Sequence, residues 1–362
     1  MGKFLENAWY VAGWSDELGR EPMARRLLDR DLVFFRREDG LPLAMTDRCP
    51  HRFVPLSAGT VVGDEIQCPY HGLKFGADGK CYDARVNETN RDRFCLATYP
   101  LVERYGSIWI WMGDPAGANP ADIPDFSFLE SDTRFVAGRG TTHMQANYLL
   151  EIDNLLDLSH LDFVHPTTLS NGAIASGAYK VWQDGKTVHS DRIIRNTPAP
   201  VQFLDMMALS TDPRWDKAKA DKIVDLWLDM HWYAPSTLKL DVGVGSPGLD
   251  RANRLDQMQA HYVTPESETS THYFWIYTMT KLGQSQEHLD GFLKVIRKAF
   301  EDEDKPMLEL QQRAMKSDFW TEQPMVLEED AGAIRARRII DKLVREEAAA
   351  RELAMPQAIA AE

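Results

Sequence analysis

Cysteine is scarce in this chain, with four in 362 residues. That is too few for a secreted disulfide framework, so each thiol becomes a candidate for metal or redox chemistry. No apolar run approaches the roughly 18 residues of a membrane span; the densest stretch surrounds Ile108-Trp109-Ile110-Trp111. The opening Met1-Gly2-Lys3-Phe4-Leu5-Glu6 has neither an apolar signal region nor the Ser/Thr that myristoylation wants at position 6, so the expected setting is cytoplasmic. Positive charge is in deficit: 41 Lys and Arg against 55 Asp and Glu leave a net charge of −14. Such a chain repels phosphate backbones and anionic lipid, which argues against nucleic-acid and membrane partners. A Gly-rich dinucleotide fingerprint, a plant-type ferredoxin cysteine run, internal repeats and low-complexity blocks are also absent.

What is present is the composition of a packed globular protein: 44% hydrophobic, 27% charged and 10% aromatic residues, long enough for two domains at about 150 residues each. Residues 7–112 read as short strands (8–11, 32–35, 43–46, 66–68 and 108–111) between Gly/Asp/Pro turns. The Pro/Gly/Ala-rich stretch 113–120 reads as a boundary. Beyond it come a helix over 148–163, strand-rich runs at 226–244 and 258–279, a helical region over 287–315, and a charged amphipathic helix over 333–353 with a tail. The expected fold is therefore α+β: an antiparallel β domain over 1–118, a helix-and-antiparallel-sheet domain over 119–345, and a helix end and tail over 346–362.

The strongest local signal is Cys49-Pro50-His51, sixteen residues, then Cys68-Pro69-Tyr70-His71-Gly72. Two Pro-containing loops each bring one thiol and one imidazole. This donor set suits either a tetrahedral Cys₂His₂ zinc site or a Rieske [2Fe–2S] centre, where two Cys hold one iron and two His the other. Zinc fingers usually pair like with like along the chain, so the C-x-H…C-x₂-H order favours the Rieske reading. Cys81 and Cys95 lie outside the motif and read as free structural thiols.

A second constellation lies in Asn154-Leu155-Leu156-Asp157-Leu158-Ser159-His160-Leu161-Asp162-Phe163-Val164-His165-Pro166. Asn154, Asp157 and His160 share a helical face at spacing three. Asp157, one turn before His160, is placed to accept an N–H from a ligand imidazole. His160 and His165, five apart, would stand about 140° apart on an unbroken helix. Pro166 disfavours helical geometry at His165 and frees that ring to swing toward the first. A non-haem Fe(II) site needs one carboxylate more. On a helical wheel Leu293, Ile296, Phe300 and Met307 define the buried stripe of the later helix, and Glu303 and Asp304 both fall at its margins, so periodicity leaves the choice open.

These motifs resemble the aromatic-ring Rieske oxygenases. With the opening Asn7-Ala8-Trp9-Tyr10-Val11-Ala12, the run Glu103-Arg104-Tyr105-Gly106-Ser107-Ile108-Trp109, Tyr262-Val263-Thr264-Pro265-Glu266-Ser267 and Asp330-Ala331-Gly332, the chain is similar to oxygenase subunits of the vanillate and dicamba O-demethylase and toluenesulfonate methyl-monooxygenase type. The resemblance implies Cys49, His51, Cys68 and His71 as cluster ligands, and His160, His165 and Asp304 as ligands of a mononuclear Fe(II). It also implies a homotrimer in which Asp157 links His160 to His71 of the next protomer. The implied reaction is a monooxygenation using O₂ and electrons from NAD(P)H, delivered by a separate reductase or ferredoxin component. Its most direct form converts a methoxylated aromatic acid to a phenol and formaldehyde. N-demethylation, methyl or ring hydroxylation, and an electron-transfer protein without oxygenase activity are the alternatives. For substrate contacts, the resemblance points to His261, although its strand parity with Gln257 and Gln259 assigns it an exposed face. Asp241 could reach a phenol hydroxyl or be an edge-strand charge. No basic residue stands out as partner for a substrate carboxylate.

Overall fold

The computed structural model describes residues 4–130, 134–251, 254–281, 286–315, 319–320 and 324–354. Alternating apolar residues between tight turns make residues 4–123 an all-β unit, which also includes residues 264–267. Its strands are β1 Trp9–Trp14, β2 Met23–Leu27, β3 Arg30–Arg36, β4 Pro42–Thr46, β5 Thr60–Val62, β6 Glu65–Gln67, β7 Lys74–Phe75, β8 Leu101–Arg104 and β9 Ser107–Trp111. They form three small sheets, ordered β1-β9-β8, β2-β3-β4 and β5-β6-β7, all paired antiparallel. The Pro/Gly/Ala stretch is not a loose linker: Asp114 and Asn119 cap two short 3₁₀ turns, Pro115–Gly117 and Pro120–Asp122. The division between units falls after Ile123.

The second unit takes in 124–263 and 268 onward. Long β-branched and aromatic runs build a seven-stranded sheet from β10 Phe135–Met144, β11 Ala178–Asp184, β12 Thr187–Pro198, β13 Ile223–Tyr233, β14 Thr237–Gly245, β15 Leu255–Ser267 and β16 Ser270–Thr280. Its order is β10-β16-β15-β14-β13-β12-β11. The helices are α1 Tyr148–Leu156, α2 Leu161–Val164, α3 Val201–Leu209, α4 Asp216–Asp221, α5 Gln286–Lys298, α6 Lys305–Met315 and α7 Ala331–Ala354. Among the described residues, no helix is long and apolar enough to cross a membrane.

Two helices depart from the expected pattern. The stretch 148–163 is not one helix, because it breaks at Asp157 (φ −113°, ψ 89°), whose carboxylate caps the next turn by accepting from Ser159 N–H at 2.9 Å. The region over 287–315 carries a π-helical turn, Ala299–Asp304, between α5 and α6. The extra residue of a wide turn advances the buried stripe by one position. Ile296, Phe300, Asp304 and Leu308 are therefore buried at spacing four, while Met307, expected inside, stands 51% exposed.

Candidate metal centres and pocket

In the β unit the two Cys/His loops share one backbone design. Cys49 N–H donates to Val54 O and Cys68 N–H to Leu73 O, while Phe53 N–H and Gly72 N–H return to the carbonyls of Cys49 and Cys68. The fifth residue of each loop is left-handed, Phe53 at φ 63° and Gly72 at φ 70°, a conformation that strains the bulky Phe53. Each loop buries its thiol and projects its imidazole. Cys49 and Cys68 join the core of Val33, Phe35, Met45, Leu56, Ile66 and Phe75, whereas His51 and His71 are exposed with ring centroids 4.5 Å apart. Burial, followed by the neighbouring Cys68 thiol, pushes the Cys49 thiol above its ordinary pKa. An inner pair of sulfurs and an outer pair of nitrogens fit a two-iron cluster better than one tetrahedral ion. Cys81 and Cys95 are free thiols, buried and exposed respectively.

In the second unit, His160, His165 and Asp304 bring one ligand atom each to within 4.8 Å of one another, the sole group of three such donors among the described residues. His160 Nε2 and His165 Nε2 lie 3.5 and 3.0 Å from the same Asp304 oxygen. The inner nitrogens are already held: His160 Nδ1 pairs with the Asp157 backbone carbonyl at 2.6 Å, and His165 Nδ1 with Glu303 Oε2 at 2.7 Å. Thr168 donates to that Glu303 oxygen at 2.6 Å and Asn154 to Asp304 at 3.2 Å. His165, with φ −117° and ψ 42°, ends α2 as Pro166 requires. Burial lowers the His160 pKa against the charge of Asp304. For His165, burial is outweighed by Asp304 and Glu303, and the pKa is raised. Two imidazoles facing one carboxylate, in one buried spot with their far sides hydrogen-bonded, fit a two-histidine, one-carboxylate iron site.

Three neighbours hold roles that the sequence reading did not assign them. Glu303, weighed against Asp304 as the ligand, instead backs His165. Arg192 is buried beside Asp157, its Nη2 3.8 Å from the carboxylate, while Nη1 donates to Ala175 O at 3.0 Å. Glu151 lies in the apolar run Leu149-Leu150-Glu151-Ile152; burial, then the Asp304 charge, pushes its pKa well up, and its Oε2 has no hydrogen-bond partner among the described residues. Only an acid amid apolar helix positions signalled it. Asp157 also differs from expectation, since its backbone carbonyl, not its carboxylate, pairs with His160.

The inner sheet face and the iron-side turn line a narrow, partly open pocket, bounded by Leu158, Leu161, Leu226, Leu240, Gln259 and Tyr277 among others. His261 is not exposed as its parity suggested. Gln257, Gln259 and His261 are all at most 2% accessible, because the face they share is the inner one, where Gln259 pairs in register with Leu240 and His261 with Leu238. His261 Nδ1 shares a 2.6 Å hydrogen bond with the Tyr273 hydroxyl, and burial drops its pKa to about 3. Asp241 points the other way, registered with Met258 and Asp229 on the outer face and ion-paired with Arg254, so it does not reach the pocket.

A small β unit carrying a thiol–imidazole cluster site, together with a sheet-and-helix unit carrying an iron-type triad, defines the oxygenase component of a Rieske system. The Rieske [2Fe-2S] domain profile matches residues 8–100, and the vanillate O-demethylase oxygenase C-terminal domain profile matches 144–346. The chloroacetanilide N-alkylformylase oxygenase component of Rhizorhabdus wittichii is 35% identical over 95% of this chain and 97% of its own. The vanillate O-demethylase oxygenase subunit of Pseudomonas sp. is 33% identical over 97% and 98%. A crystal structure of dicamba monooxygenase bound to 3,6-dichlorosalicylic acid superposes with a TM-score of 0.85 at 33% identity, covering 96% of this chain and 99% of that one. The chain belongs to the Rieske non-haem iron oxygenase family with the vanillate O-demethylase type of C-terminal domain.

Proposed function

We propose that the protein is the terminal oxygenase of a multicomponent system that hydroxylates an alkyl carbon attached to a heteroatom of a small aromatic compound, so that the alkyl group leaves as an aldehyde. The observation that carries this reading is the convergence of His160 Nε2 and His165 Nε2 on one Asp304 oxygen. Cys49 and Cys68 would hold one iron of a [2Fe–2S] cluster and His51 and His71 the other; His160, His165 and Asp304 would hold Fe(II). When bound, the cluster supplies single electrons and the mononuclear iron supplies O₂ activation.

The chain's own groups prepare that site. The Asp157 carbonyl and Glu303 accept from the two Nδ1–H groups, which turns both Nε2 lone pairs toward Asp304. Asn154 steadies the Asp304 oxygen, and Leu158 and Leu161 on either side of His160 give the pocket an apolar wall. For an aryl methyl ether, the ether, O₂, two electrons and two protons give a phenol, formaldehyde and water. NAD(P)H supplies the electrons through a separate reductase or ferredoxin component, since the sequence has no dinucleotide fingerprint. The Asp157 carboxylate, still partly accessible, would meet His71 of a neighbouring copy in a homotrimer acting in the cytoplasm. O- and N-dealkylation are both named among the relatives, and the pocket's presentation of the substrate decides between them.

The test is turnover of methoxylated and N-alkylated aromatics by iron-reconstituted protein with NADH and a surrogate reductase. Aldehyde should form in step with O₂ uptake. His160→Ala should abolish both and leave the visible cluster spectrum intact. A colourless protein that binds zinc would overturn the reading.

A further inference from the structure

We infer that the substrate of this pocket is an uncharged aromatic compound, held by a neutral hydrogen-bonding group such as an amide, in place of the aromatic acid that the sequence resemblance implies. This rests on the oxygenase reading above and refines it. The pocket is walled by Leu158, Leu161, Leu226, Leu228, Leu240 and Val242, with Gln202, Gln259 and Tyr277 as its polar side chains and no Lys, Arg or His in its lining. Gln259 and Tyr277 are hydrogen-bonded to each other across β15 and β16. Farther along the same two strands, His261 and Tyr273 form a second such pair, and His261 Nε2 is buried without a partner among the described residues. Both pairs are neutral, since burial keeps the His261 ring unprotonated.

A carboxylate entering this space would lose its hydration and find no cation in return, the costliest way to bury a polar group. The inner face does carry one arginine in the row of Leu228, namely Arg192. It is outside the pocket lining: Nη1 donates to the Ala175 carbonyl, the guanidinium lies over the Tyr179 ring, and Nη2 faces the Asp157 carboxylate at 3.8 Å without a hydrogen-bond partner among the described residues. A primary amide, by contrast, matches Gln259 donor for acceptor and acceptor for donor, and the leucine walls accept an aromatic ring of either kind.

The test compares two molecules of nearly one shape, 4-hydroxy-3-methoxybenzamide and 4-hydroxy-3-methoxybenzoate. Binding to the metal-loaded full chain is read by titration calorimetry at pH 7.5, and formaldehyde and O₂ uptake are read separately. The benzamide should bind at least tenfold more tightly. Gln259→Arg, which places a cation in the lining, should narrow or reverse that ratio by tenfold or more. Benzoate binding as tight as the benzamide, or no binding of either, overturns the substrate class; in the first case Arg192 must leave Asp157 to serve the anion, and Arg192→Met should then remove benzoate binding selectively. Benzamide preference without formaldehyde or O₂ uptake leaves the substrate class standing and removes the dealkylation reading. Benzoate preference with formaldehyde does the reverse.

Discussion

The pair Glu303-Asp304 shows how far single residues could be read in advance. Helical periodicity put both at the edge of the buried stripe and left the ligand open, and similarity to known oxygenases favoured Asp304. Both contact His165: Asp304 faces Nε2 at 3.0 Å and Glu303 holds Nδ1 at 2.7 Å. A carboxylate on the far nitrogen fixes the tautomer and raises the basicity of a ligand imidazole. Glu303→Gln keeps the shape but removes the charge, so iron affinity should fall by about 10–100-fold. Metal titration of the apo-protein against a chelator checks this. Glu301→Gln, whose side chain pairs with Lys305 at 3.4 Å, should leave affinity unchanged, and equal losses in both variants would assign the effect to helix charge. His261 was misread for a different reason. Strand parity groups residues onto a face but does not say which face is covered, and three polar residues at alternate positions look like a solvent face even when they line an interior.

At the scale of elements, alternation revealed the strands because each long run packs a continuous apolar face, and Pro166 marked the end of the iron-bearing segment. The break at Asp157 and the π turn at Ala299–Asp304 were not legible, since each depends on tertiary contacts that override local helix propensity. The outer sheet face carries a further feature invisible along the chain: Asp191, Asp229 and Asp241 stand in register on β12, β13 and β14. Each has one carboxylate oxygen without a hydrogen-bond partner among the described residues. Burial, opposed by the charges of Arg251 and Lys180, lifts the Asp191 pKa to about 6 from 3.8. Between those two values the folded chain holds a proton that the unfolded chain has released, so stability falls as pH rises through that window. Asp191→Asn removes the penalty. Its unfolding free energy should exceed wild type at pH 7.5 by about 1 kcal/mol once solvent screening is allowed for, raising the thermal midpoint there, and the two should match near pH 3.5. An unchanged midpoint at pH 7.5 would show that Arg251 already neutralises Asp191.

At the scale of the whole molecule, the two Cys/His pairs and the two iron-side histidines were legible because each sits in a short motif, whereas Asp304 lies far along the chain and only the family resemblance singled it out. The oligomer was not legible, because it depends on surfaces that only a second copy completes. If the cluster of one protomer serves the iron of the next, two inactive chains should repair each other. His71→Ala removes a donor from the cluster site and keeps the triad, whereas His160→Ala does the reverse. Each variant alone should be inactive in aldehyde formation. Co-expressed in equal amounts, they assemble mixed rings in which half of the chains keep an intact triad, and half of those follow a neighbour with an intact cluster. Activity should therefore recover to about a quarter of wild type in a cyclic homotrimer with head-to-tail contacts. Light scattering should give three times the 41.2 kDa chain mass for wild type and mixture alike. Transfer within one chain predicts no recovery at any mixing ratio, because no chain in the mixture carries both intact sites. A trimer without recovery would thus retain the assembly and reject the role given to Asp157 between His160 and the neighbouring His71.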